Sequence, residues 1–131
     1  MIKKVRRLHN KHGFPTGETD ELSENTELQD FRIKFLTEEI DELKEALDTG
    51  DRVGVFDALL DLVYVAQGTA LMAGITPEKW AKGMKAVHKA NMKKKKVKNA
   101  DESKRGHHFD CVKPKNWVGP ETTLAEILKE E

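Results

Sequence analysis

The stretch Val53-Gly54-Val55-Phe56-Asp57-Ala58-Leu59-Leu60-Asp61-Leu62-Val63-Tyr64-Val65, continuing almost wholly apolar to Ile75, decides how this chain is read. It lacks period-two alternation and is long, so it reads as a helix rather than a strand. Carboxylates in such a helix are costly unless they are paired or hold a metal. Just upstream, Glu38-Glu39-Ile40-Asp41-Glu42 brings four more acids. Glu38 and Glu42 alone would pass as solvated helix surface, and Asp57 alone as an acid favoured near a helix start. Asp61 resists that reading, because Leu59, Leu60, Leu62 and Val63 surround it.

At roughly 100° per residue, Phe31, Phe35, Leu28, Leu43, Leu36, Leu47 and Ile40 form a broad apolar arc on the preceding helix. Glu42 and Glu39 fall within the arc and Glu38 at its edge, whereas Asp41, Lys44 and Glu45 face away. On the next helix Asp57, Asp61, Tyr64 and Gly68 make one stripe, with Gly68 leaving room for another backbone. An antiparallel hairpin turning near Gly50 brings arc and stripe together, and the acids converge. Like charges so close cannot all stay ionised unaided. Hard oxygen donors without cysteine or paired histidines favour Mg²⁺, with Mn²⁺ as substitute, over zinc. The expected ligands are Glu39, Glu42 and Asp61, then Asp57; Glu38 binds a second ion or orients water as a base.

The 131 residues favour one domain over two. The formal net charge is zero although 35% of residues are charged, so total charge draws the chain to neither nucleic acid nor anionic membrane. Acids dominate from Glu18 to Asp61 and lysines from Lys79 to Lys115, a division suited to holding both a metal and a phosphate-bearing ligand. Cys111 is the single cysteine, which excludes an intrachain disulfide and suits a reducing compartment. The N-terminus has no apolar signal core, and the uncharged run Leu62 to Pro77 is short for a membrane span. A cytoplasmic location is the expectation.

The fold class expected is all-α, an antiparallel bundle of about four to five helices in one domain, residues 1–131, assembling through helix faces into a homo-oligomer. A short helix from Ile2 to His12 closes at Gly13, and Thr16 to Glu24 is a loop. A long helix runs from an Asn25 or Thr26 cap to about Leu47, and the next from Arg52 to Ala73. Thr76-Pro77-Glu78 starts a fourth helix, with Trp80, Met84 and Val87 inward, reaching about Asn91. From about residue 93 come a basic loop and an irregular tail in which Val112 and Trp117 dock. Thr122 or Thr123 caps a last helix. Asn91 continues the inward stripe and Lys94 follows one turn on, so both are expected to contact nucleotide. Lys89, His88, Tyr64 and His9 are further candidates for substrate contact.

Glu38-Glu39-Ile40-Asp41-Glu42 resembles the EExxE element of the all-α nucleoside triphosphate pyrophosphohydrolase superfamily, and Asp61 resembles the aspartate of its ExxD element. The chain departs from that pattern: Ala58 stands three before Asp61, and the nearest acid, Asp57, stands four before. A narrower similarity, to MazG-like proteins of bacteriophage genomes, covers nearly the whole chain. It includes Leu8-His9-Asn10-Lys11-His12-Gly13-Phe14-Pro15, Arg32, Val87-His88-Lys89-Ala90-Asn91-Met92-Lys93-Lys94, and Lys104-Arg105-Gly106 through Trp117.

The resemblance implies Mg²⁺-dependent hydrolysis of a nucleoside triphosphate between its α and β phosphates, giving a monophosphate and pyrophosphate. It also implies a homodimer or homotetramer, and a flap of Lys104, Arg105 and Lys113 over the phosphates. A purine such as dGTP is the substrate expected, with phosphoribosyl-ATP as the neighbouring alternative. The rival classes are a nucleic-acid-binding module using the lysine-rich loop and a noncatalytic helical assembly protein. Both leave the inward acids without a catalytic task.

Overall fold

The structure is a computed structural model describing residues 1–131. Five α-helices dominate it: α1 (Ile2–His12), α2 (Thr26–Asp48), α3 (Arg52–Met72), α4 (Pro77–Met92) and α5 (Glu121–Lys129). The chain divides into two compact units, Met1–Trp80 and Ala81–Glu131.

In the first unit, local signals set the helix ends. The Asn25 side chain accepts from the Leu28 amide at 3.0 Å, and Asp51 does the same for Gly54 at 2.9 Å, so each long helix opens on a capped turn. Gly50, at φ 68°, supplies the left-handed residue that lets α2 end and the chain reverse within three residues. Thr76 caps the start of α4 through the Lys79 amide at 3.2 Å, with Pro77 in the first turn.

Helices α2 and α3 form the antiparallel hairpin. Arg32 meets Val65 and Thr69, Glu39 lies beside Asp61, and Ala46 approaches Gly54, so the pairing runs in opposite directions along the two helices. The buried residues of α2 are Arg32, Glu39 and Ala46, seven apart, which is the spacing of a helix–helix seam. This seam follows the centre of the apolar arc. Its margins, however, stay uncovered: Phe31, Ile40 and Leu47 are exposed, contrary to the inward face expected for them. One facing helix is too narrow to cover so broad an arc.

Helix α1 packs on the other end of α3, where Ile2, Val5 and Leu71 form the apolar core with Tyr64 and Trp80 against it. Leu71 and Val5 are fully buried, each contributing about 1.5–3 kcal/mol. Gly74, at φ 76°, closes α3 where Asp20 pairs with Ala73; a Cβ there would lie 2.9 Å from the Asp20 nitrogen. By length and composition α3 is apolar enough to cross a membrane, because it extends the uncharged run back to Arg52 with few charges. Here α1 and α2 pack along it.

The second unit corrects three expectations. A small antiparallel ladder, β1 (Lys95–Lys96) with β2 (Cys111–Val112), forms where no sheet was expected. Two-residue strands are too short to show alternation. Helix α5 begins at Glu121 after Pro120 rather than at a threonine cap; proline's fixed φ and an acid in the first turn open it instead. Met84, expected inward, is exposed. The Trp117 indole N–H donates to the Ala90 carbonyl at 2.8 Å, docking the tail on the end of α4.

Candidate metal centre

Glu39 enters the site from the α2 seam. Only 8% of it is exposed, and its Oε2 is buried without a hydrogen-bond partner. Such an atom carries the full cost of leaving water. Glu42, one turn further along α2 and exposed, and Asp61, half-buried on α3, each bring one carboxylate oxygen, so that the three atoms lie within 4.8 Å of one another. Burial pushes the Glu39 carboxyl above its ordinary pKa, and the negative charges of Glu42, Asp61 and Asp57 push it the same way. Asp61 is raised likewise, first by burial and then by Asp57 and Glu42. Lys44, on the same helix as Glu39 and Glu42, bonds to Asp48 rather than to this cluster.

An orphaned buried oxygen, three convergent carboxylates and no thiol or imidazole among them make a donor set that fits a hard divalent cation. Asp57 lies outside the close trio, exposed one turn before Asp61, where its charge acts on both Glu39 and Asp61. Glu38 is exposed and also outside it.

Below the acids, the seam is held by a buried cation. Arg32 donates through Nη2 to the Val65 carbonyl at 2.9 Å and through Nε to Thr69 Oγ1 at 3.0 Å. Its guanidinium also lies over the rings of Phe35 and Phe31, 5.3 and 5.6 Å from their centroids, and burial lowers its pKa. The groups that crowd Gly68 are the Arg32 guanidinium and the His9 imidazole, not the backbone expected there. His9 is 3% exposed, with Nδ1 2.6 Å from the Pro15 carbonyl and its ring edge-on to Phe14. In this fold His9 packs α1 against α3, and Tyr64 packs on the apolar core.

The remaining residues expected at the nucleotide lie in the second unit. His88, Lys89 and Asn91 are exposed, and Asn91 does not continue an inward stripe. Lys94, Lys104, Arg105 and Lys113 line one cavity. Two residues noted in the sequence take roles that their sequence context did not reveal. Arg32 looks like any helical surface cation until its place at the centre of the arc is weighed, and Trp117 gives no local sign that it would gather Lys94 and Lys113 over its ring.

Fold and acids together define an all-α protein with a cluster of three carboxylates that could hold a metal ion. Residues 5–91, more than half of the chain, match the phosphoribosyl-ATP pyrophosphohydrolase family model, and the chain belongs to that family, within the MazG-like nucleotide pyrophosphohydrolase superfamily. It is a nucleotide pyrophosphohydrolase. A comparison with curated proteins gives no match.

Proposed function

We propose that the protein hydrolyses a nucleoside triphosphate between the α and β phosphates, releasing the monophosphate and pyrophosphate, with Mg²⁺ bound and Mn²⁺ able to replace it. The observation that carries this reading is the buried, unpartnered Glu39 Oε2 beside the oxygens of Glu42 and Asp61. Glu39, Glu42 and Asp61 would hold the cation, with Asp57 next to them. When bound, it supplies positive charge to the triphosphate.

The chain's own groups do the rest. Glu38, exposed beside the trio, is assigned as the base that takes a proton from the attacking water, or as a ligand to a second ion. Water adds across the α–β anhydride: its oxygen forms the new P–O bond and the bridging oxygen leaves with pyrophosphate. A purine deoxynucleotide such as dGTP is the proposed substrate. The phage-type likeness of the segments quoted above belongs to this reading.

A homodimer or homotetramer is part of the proposal. Phe56, Leu59, Leu60 and Val63 are exposed on α3 in a band roughly 100° wide, and the margins of the α2 arc are equally bare. Such a surface is larger than scattered apolar residues would make.

Phosphoribosyl-ATP is the second reading, favoured by the name of the matching family. It carries a 5′-triphosphate too, so the same acids would serve. The test is a screen of NTPs, dNTPs and phosphoribosyl-ATP with Mg²⁺ and Mn²⁺, with products identified, in the natural chain and in Asp61→Asn. Loss of turnover with unchanged helix content supports the proposal. Near-normal activity in Asp61→Asn overturns it.

A further inference from the structure

Helix α1 is basic along its outer side. It carries Lys3, Lys4, Arg6, Arg7 and Lys11 and no acid, and the first acid of the chain is Glu18. At about 100° per residue, Lys3, Arg7, Lys11 and Lys4 fall within about 100° of arc. They lie opposite the buried Ile2, Val5 and His9. All four are exposed, and none forms a salt bridge. Arg6 stands apart, half-buried on the flank where its charge reaches Glu18.

This stripe works against the helix that bears it. Lys3 and Arg7, Lys4 and Arg7, and Arg7 and Lys11 are three or four residues apart, so these like charges are neighbours on the helix surface and repel. Lys3 and Lys4 also sit in a first turn that has no acid, where a cation opposes the helix dipole. An anion of several charges laid along the stripe offsets both costs at once.

Beyond Lys11 the stripe ends in aromatic rings. The His12 and Phe14 rings stack at 5.5 Å with 27° between their planes, and both residues are exposed, Phe14 by 47%. Gly13, at φ 71°, turns the chain between them, and the Phe14 amide donates to the His9 carbonyl at 2.8 Å. The ring pair is thus fixed to the end of the helix by its backbone.

We propose that the outer face of α1 binds single-stranded nucleic acid, with the cations following the phosphodiester backbone and the ring pair stacking a base. Lys3 to Lys11 spans about 12 Å at about 1.5 Å per residue, enough for successive phosphates of one strand. A positively charged track beside an aromatic platform is the arrangement that holds such strands without regard to sequence. An anionic membrane fits less well, because the apolar residues that would enter it, Ile2 and Val5, are already buried with Leu71 of α3. The face shares no residue with the carboxylate trio or with the lysine-rich segment after α4.

Fluorescence anisotropy of a labelled oligo-dT strand of about 20 nucleotides, with the full chain in EDTA at about 50 mM salt, tests the face. Log affinity should fall against log salt with a slope of about −2 to −3, as expected for three to four neutralised phosphates. Arg7→Gln/Lys11→Gln should keep its helix content, lose affinity at least about tenfold and flatten the slope by about 1.4. Phe14→Leu keeps an apolar side chain beside His9; it should lose affinity about fivefold with the slope unchanged. Asp61→Asn should bind the strand as the natural chain does, so the face stands or falls apart from the reaction proposed above. Lys95→Gln/Lys96→Gln, exposed on β1, is the control for basic charge elsewhere and should keep full affinity. A loss there as large as in the α1 variant overturns the proposal, as does absence of strand binding at low salt. Binding to phosphatidylserine vesicles without binding to the strand overturns it too, and assigns the stripe to a lipid surface.

Discussion

Gly68→Ala is the sharpest probe of the seam. A methyl group at this position would stand 2.9 Å from Arg32 Nη2 and 3.0 Å from His9 Nε2. Neither neighbour gives way cheaply: Nη2 is bonded to the Val65 carbonyl, and the His9 ring is bonded through Nδ1 to the Pro15 carbonyl. Displacing the guanidinium forfeits a charge-assisted hydrogen bond worth about 1.5–3 kcal/mol, and overpacking adds about 1–3 kcal/mol. Alanine returns about 1 kcal/mol through helix propensity. The net expectation is a loss of about 1.5–5 kcal/mol. Gly83→Ala on α4 is the control, since its added methyl meets only Leu124 Cδ2 at an ordinary 3.4 Å; there propensity alone acts and stability rises by about 0.5–1 kcal/mol. Urea unfolding followed by helical circular dichroism should move the two midpoints in opposite directions. A Gly68→Ala chain as stable as the natural one would refute the crowding around Arg32 and His9.

Glu39→Gln removes a buried charge that Glu42, Asp61 and Asp57 oppose, so in EDTA this variant should melt above the natural chain. It should also lose the rise in melting temperature that Mg²⁺ gives the natural chain by binding the folded state; a retained rise would contradict the ligand assignment. Asp110, which accepts from Arg105 Nη2 at 2.7 Å, Ser103 Oγ at 2.5 Å and the Cys111 amide at 2.8 Å, governs the pH response of the tail. Its folded pKa lies below the unfolded value of about 3.9, so its stabilisation is present above about pH 4 and drains as pH falls through the folded value. Amide exchange at Val97 and Cys111 should be faster in Asp110→Asn than in the natural chain at neutral pH. That gap should close in strong acid, and an unchanged gap would refute this bonding.

The helix boundaries were legible because they rest on neighbours in sequence: Asn25 and Thr76 cap within three residues, and Gly50 turns the chain locally. The convergence of Glu39, Glu42 and Asp61 was legible too, since helical periodicity fixes faces and a short turn fixes the partner. Exposure of Phe31, Ile40 and Leu47 was not, because an arc's width does not say how many helices cover it. The strands Lys95–Lys96 and Cys111–Val112 were too short to carry a pattern. The basic cavity depends on Trp117 reaching Ala90 across 27 residues, a contact that periodicity does not encode.

Because α2 and α3 are joined by only three residues, all three carboxylates belong to one locally closed element. The entropy lost in closing so small a loop is slight, and a low-contact-order hairpin of this kind forms early when a chain folds. The repulsion among Glu39, Glu42 and Asp61 therefore arises at the start of folding rather than at its end. A cation bound by the three would then act on the speed of assembly as well as on the finished protein, and the ionic conditions during synthesis would bear on how quickly the hairpin closes.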